Sequence, residues 1–275
     1  MPRRSAPSAP SALRDPKPGR SPTNRSLERG IDILRAFRPG LEVLGNGELA
    51  ERTGLSRATV TRLTQTLTGA GFLQLDASVH AYRLAPAVLS LAHAMKSGSS
   101  LLKIAAPRMR ALAEEQRVNV GLAAPDGDEM VYLESIRYSR RIALRSVVSG
   151  QRVPMELTSL GRAYLSILDE SRRKTLFAYF RRRRGAQWPQ IARAIELASQ
   201  QVAARGFCSV SWQPEVVALA TPLQVHGATY VLNVSTSTSD AMSAVVHRLA
   251  PHLLELLRQV LRDVEQEFPA SPGDQ

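Results

Sequence analysis

The sequence predicts an α+β chain: an N-terminal winged helix-turn-helix, a linker helix, and a C-terminal α/β domain. Three patterns predict it. Three short amphipathic helices, the last two parted by a glycine, are followed by a run that alternates like a β-hairpin. A mostly apolar helical stretch comes next. From Val118 onward, strand-like alternation is interrupted by helical periodicity and closes on one long amphipathic helix.

Taken in order, residues 1–24 are rich in Pro, Ser, Ala and Arg and read as a disordered basic tail, either a bare extension or an arm for non-specific DNA contact. Ser26 is expected to cap a first helix in SLERGIDILRAF, with Leu27, Ile31 and Leu34 forming its apolar stripe, Ile33 and Phe37 flanking it, and Pro39-Gly40 ending it. GELAERTG reads as a second helix with Leu49 and Ala50 inward and Gly54 as a left-handed stop. Ser56 caps a third helix that runs to about Gly69. In GFLQLDASVHAYRLAP, FLQL and AYRL are the strands and DASVH holds the turn, so the first domain spans residues 25–85.

AVLSLAHAM begins a linker helix, residues 86–98. The second domain, residues 99–270, opens with the helix LLKIAAPRMRALAEEQ. Strands follow in VNVGLAAP, EMVYLESI and RRIALRSV, then a helix in TSLGRAYLSIL capped by Thr158. Two more helices, three strands (GFCSVSW, VVALATPLQ, GATYVLNVS) and a final helix from about Ser239 to Phe268 complete the fold.

Composition narrows the function. The 275 residues are 44 % apolar and 22 % charged, enough to bury two modest cores. No apolar run approaches the ~18 to 20 residues of a membrane span, and the N-terminus lacks a signal-peptide core. A single cysteine, Cys208, forbids an intramolecular disulfide and suits a reducing cytoplasm. The net charge of +12 favours a polyanionic partner, nucleic acid ahead of anionic membrane.

The third helix shows what that partner would touch. At 100° per residue, Val60, Leu63 and Leu67 fall on one side. Arg57, Ala58, Thr61, Arg62 and Gln65 fall on the other, with Thr59 beside them, and no acid stands among them. A solvated face normally mixes in carboxylates; a face entering the major groove cannot, because they would meet phosphates. Arg pairs with guanine O6 and N7, Gln with adenine N6 and N7, and threonine offers a hydroxyl or methyl. Leu49, Ala50, Gly54, Leu55, Val60 and Leu63 have the spacing of a helix-turn-helix. The hairpin would be the wing, with its tip at Ser78, Val79 and His80 near a backbone or minor groove.

SLERGIDILRAF, ELAERTGLSRATVTRLTQTLTGAGFL and YRLAPAVLSLA together resemble the N-terminal half of the IclR family of bacterial transcriptional regulators. VPMELTSLGRAYLSIL, ARGF and VVALATPLQVHGATYVLNVS are similar to its C-terminal half, so the resemblance covers about residues 25–268. It implies a GAF-like effector-binding domain, a small organic acid as ligand, double-stranded operator DNA as partner, and a homodimer or dimer of dimers. By position, it implies a pocket from Met155, Thr158, Ser159 and Leu160 at a helix start, Val210 and Ser211, Val216 and Ala218, and Asn233 and Ser235. Read from the residues alone, the helix start after Thr158 can hold a carboxylate on free N–H groups, or Thr158 merely caps its helix. Many relatives carry an acid where Val210 and Ser211 stand here, which implies a less polar pocket or a different ligand; Trp212 would be an aromatic wall or plain packing.

Other features carry less. Cys208 reads as a small core residue rather than a thiol sensor. The histidines form no HxH or HExxH pattern, and no GxSxG, P-loop or GxGxxG occurs, so neither a metal nor a cofactor is expected. The run Arg181 to Arg184 reads as a solvated loop, with an acidic interface in an oligomer as the other option. Two rivals remain at this point: an enzyme acting on a small organic acid with the winged helix as scaffold, and a non-specific basic nucleic-acid binder.

Overall fold

The computed structural model of the protein describes residues 24–138, 148–213 and 215–268. The chain divides between Gly98 and Ser99 into two compact units. The expected tail, apart from its last residue, and the expected strand RRIALRSV lie outside the described residues.

The first unit holds α1 (Arg25–Ala36), α2 (Asn46–Thr53), α3 (Arg57–Gly69), the hairpin β1 (Leu73–Asp76) and β2 (Ala81–Leu84), and α4 (Ala87–Gly98). Its core is Ile33, Ala36, Phe37, Leu44, Leu49, Val60, Leu73 and Tyr82. This corrects the expected stripe of α1. Leu27 is 63 % exposed and Ile31 38 %, while the residues taken as flanking, Ile33 and Phe37, are buried. Asn24, not Ser26, caps this helix, its Oδ1 accepting from the N–H groups of Ser26 and Leu27 at 3.1 Å. The helix ends at Ala36, three residues before Pro39, because Arg38 and Leu41 close a small bridge around Pro39-Gly40. Gly54 stops α2 at φ 71°, where only glycine sits without strain. Ser56 Oγ accepts from Thr59 N at 3.3 Å and caps α3. The hairpin pairs Leu73 with Leu84 through Asp76 with Ala81, and Leu44 adds a bridge to Tyr82 beside it.

Among its described residues, the second unit holds a six-stranded antiparallel sheet in the order β5-β4-β3-β8-β7-β6. The strands are β3 (Asn119–Asp126), β4 (Glu129–Ile136), β5 (Arg152–Pro154), β6 (Cys208–Gln213), β7 (Val216–Val225) and β8 (Ala228–Ser237). Strand periodicity gives each face its own residues. Val120, Leu122, Leu219, Leu232 and Val234 pack against α5 (Ser100–Gln116) and α9 (Met242–Glu267). The row Cys208, Ala220, Asn233, Gly121, Ser135 crosses the opposite face, each residue in register with the next. There α6 (Ser159–Ser166) covers the sheet, with Cys208 Sγ donating to Ser159 O at 3.5 Å. α8 (Trp188–Arg205) packs beside α6, and α7 (Glu170–Arg184) precedes it.

One strand goes unpredicted and one expectation fails, both for non-local reasons. The sequence gives no separate sign of β5: its three residues are too short to show alternation, and pairing with Glu129, Met130 and Val131 of β4 creates it. Arg181 to Arg184 are not a loop but the last turn of α7, where cations complement the helix dipole. Arg183 pairs with the buried Asp128 and Arg184 with the fully buried Glu156, acids 55 and 28 residues away.

Candidate functional site

The first candidate surface is α3. Val60 and Thr64 are buried beneath it, while Arg57, Ala58, Arg62 and Gln65 are exposed and Thr59 and Thr61 half-buried. The helix contains no acid from end to end. Asn46, at the start of α2, fixes the angle of α3 in a way the sequence did not reveal. Its Nδ2 donates to Thr61 Oγ1 at 3.3 Å, and its Oδ1 lies 3.5 Å from Thr64 Oγ1, whose one proton also faces Thr61 O at 3.0 Å. Thr61 in turn donates its proton to Arg57 O at 3.0 Å. Arg57, Arg62 and Gln65 therefore project from a helix held by its cap, its core side and α2.

At the wing, His80 is exposed with φ 49°, at the end of the turn. Asp76 would be the wrong charge for a phosphate, but it is occupied. Ser78 N and Oγ donate to its Oδ1 at 3.1 and 2.5 Å, and Arg83 donates to its Oδ2 at 2.8 Å. The Ser78 hydroxyl, followed by Arg83, holds this carboxyl below the usual range.

In the second unit the predicted pocket residues fall into three groups. Val216, Asn233 and Ser235 line one cavity of about 90 Å³. Val210 and Ser211 line another of about 420 Å³, beside Trp212 and Arg162. Met155, Thr158, Ser159 and Leu160 line neither; all are buried, as is Ala218. Thr158 spends its hydroxyl on structure, donating to Pro154 O at 2.8 Å and accepting from Gly161 N at 3.2 Å. Burial pushes the Cys208 thiol up to about 12, so it is a neutral core side chain at neutral pH.

Residues outside the predicted pocket complete the smaller cavity: Tyr132 and Ser135 from β4, Arg137 just beyond it, which the sequence reads as a surface residue, and Gly121 from β3. A Cβ on Gly121 would come within 2.5 Å of both Asn233 Oδ1 and Tyr132 Cε1. A glycine inside a strand pattern, as in VNVGLAAP, is the one signal that marked this close approach. Burial pushes the Tyr132 phenol up to about 12, partly offset by a hydrogen bond from Asn233. A groove of about 520 Å³ between α7 and α8, over Phe177 and Trp188, is lined by none of the predicted residues. No group of three metal-ligating side chains occurs among the described residues. No helix among them is long and apolar enough to cross a membrane.

A winged helix-turn-helix with an acid-free exposed face, followed by an α/β unit with cavities over its sheet, defines a DNA-binding regulator class. The comparisons with known proteins agree. Residues 26–77 match the IclR helix-turn-helix domain and residues 93–266 the C-terminal domain of bacterial IclR transcriptional regulators. The chain belongs to the IclR family and is a regulator of transcription, not an enzyme. It is 30 % identical over 252 residues to the HTH-type transcriptional regulator TsaQ1/TsaQ2 of Comamonas testosteroni, covering 90 % of this chain and 89 % of that one. The crystal structure of an IclR family transcriptional regulator from Brucella abortus superposes with a TM-score of 0.80 at 30 % identity, covering 90 % and 96 % of the two chains. An IclR homologue from Microbacterium hydrocarbonoxydans, solved with 4-hydroxybenzoate, shares the fold with a TM-score of 0.63 at 19 % identity, covering 90 % and 100 %.

Proposed function

We propose that the chain works as a homodimer, or a dimer of dimers, that reads a palindromic operator with Arg57, Ala58, Thr59, Thr61, Arg62 and Gln65, and that a small organic acid controls it. The observation that carries this reading is the exposed face of α3, basic and without a carboxylate, on a helix pinned by Ser56 and Asn46. His80 at the wing tip would meet the neighbouring backbone or minor groove, with Asp76 neutralised by Arg83. The basic tail, residues 1–24, would add sequence-independent affinity in the cytoplasm, where the operator lies.

Pairing is supported by apolar surface that the first unit leaves uncovered. No residue of α4 is buried, and its Leu89, Leu91 and Met95 are 73, 58 and 51 % exposed. Leu27 and Ile31 of α1 are exposed as well. Solvated apolar side chains in such number mark an association surface. Residues 86–98 would then be both linker and dimer seam.

The ligand reading is supported by the polar cavity over the sheet, and by the relative solved with 4-hydroxybenzoate. An acid bound there would change DNA affinity only as far as it prefers one arrangement of the dimer over the other. In vitro selection from random duplexes followed by footprinting tests the whole reading. It should return a palindrome with half-sites one helical turn, about 34–36 Å, or a multiple of it apart. Recovery of no common sequence would refute it.

A further inference from the structure

We infer that the groove between α7 and α8 is a docking site for an acidic amphipathic helix of another protein. The inference goes beyond the operator and effector readings and uses none of their residues. The groove holds about 520 Å³ and runs from Glu170 to Arg181 along α7 and from Trp188 to Glu196 along α8. At ~1.5 Å per residue the α7 side is roughly 16 Å long, or about three turns of helix. Its floor is apolar. Phe177, Ala178 and Ala192 line it beside Trp188, whose ring meets that of Phe177 edge to face at 5.2 Å. Leu176 and Phe180 are buried beneath α7, so this aromatic layer is held from below.

The rim is charged, and its two ends differ. At one end Arg173 pairs with Glu196 at 2.7 Å and Lys174 with Glu170 at 3.0 Å. At the other stands Arg181, exposed and without an ion pair or side-chain hydrogen bond among the described residues. Its neighbours Arg183 and Arg184 are spent on Asp128 and Glu156. Glu170 and Glu196 are the only acids in residues 170–205, and both are taken, so the charge left open is positive. An incoming helix with apolar anchors at i and i+4 fills the floor, and a carboxylate beside them meets Arg181. The other occupants fit less well. A second copy docked about a two-fold axis sets like charge against like. A DNA backbone uses the arginine but leaves the apolar floor uncovered.

The test is selection of a phage-displayed library of helical peptides, about three to four turns long, on the full chain. Selected sequences should share apolar residues at i and i+3 or i+4, with an Asp or Glu on the same face. In fluorescence anisotropy a selected peptide should bind about tenfold or more weakly to Arg181→Glu, which reverses the charge, and to Ala178→Gln, which fills the floor. Both variants should keep the parent's affinity for operator DNA. Recovery of no acidic amphipathic pattern overturns the proposal, and needs no variant to fold. So does a selected peptide that binds Arg181→Glu as tightly as the parent. Sedimentation velocity in which Arg181→Glu divides a larger assembly makes the occupant a second copy and overturns it too. A random-duplex affinity whose salt dependence is shallower in Arg181→Glu makes the arginine a phosphate contact, with the same consequence.

Discussion

Arg184 Nε donates to Glu156 Oε1 at 2.6 Å and so ties the last turn of α7 to the residue two places before the Thr158 cap of α6. Glu156 is fully buried, and its other oxygen has no hydrogen-bond partner. Removing the arginine would strand a carboxylate in the interior. Arg184→Ala should cost about 3 kcal/mol in urea unfolding of the full chain, and adding Glu156→Gln should recover part of it. A loss under about 0.5 kcal/mol would show that the pair is a solvated one.

Asp128 gives a pH dependence of a particular sign. Burial pushes its carboxyl above the ordinary value of 3.8, although Arg183 pulls the other way. The unfolded chain then loses this proton first as pH rises, so the residue's contribution is most favourable below that value and declines above it. Asp128→Asn should therefore compare more favourably with the parent at pH 6 than at pH 4 in urea midpoints. A difference that is constant, or runs the other way, contradicts the assignment of burial as the dominant cause.

The Cys208 thiol, held near 12 and buried under Ser159, should not react with a disulfide reagent at pH 8 in the native protein. In denaturant one equivalent should react within minutes. Rapid native reaction would mean that the α6 face of the sheet opens readily.

The surface of α4 predicts the oligomer. Leu89→Arg with Met95→Glu places charge on its exposed apolar side chains. Sedimentation velocity should show a shift toward monomer, with operator affinity reduced at low protein concentration. An unchanged dimer would move the interface elsewhere.

The first unit was legible because its signals are local. Gly54 and Ser56 each act within a few residues, and Leu49 and Val60 fall on the predicted inner side. The stripe of α1 is ambiguous in the sequence because a helical period fits both Leu27-Ile31-Leu34 and Ile33-Phe37. Only the packing of α2 and α3 selects the second. The arginine run reads as solvent-facing because nothing nearby in sequence neutralises it; its acids arrive from the β3–β4 turn and the approach to α6. Most of the cavity was hidden for a similar reason. Asn233 and Ser235 share a face by strand period alone, but Tyr132 and Arg137 join them only through the pairing of β3 with β4 and β8. Thr158 caps α6, one of the two roles its sequence allows, with its hydroxyl donating to Pro154 O and accepting from Gly161 N.

The central claim is that the exposed side of α3 reads bases. It is tested most directly by the ratio of affinities for the selected operator and for random duplex at fixed salt, in the parent and in Arg62→Ala. The variant should lose about 1–3 kcal/mol on the operator and much less on random DNA, so that the ratio falls. A variant whose ratio equals that of the parent, with both affinities lowered alike, would make Arg62 a phosphate contact and contradict base reading by this residue.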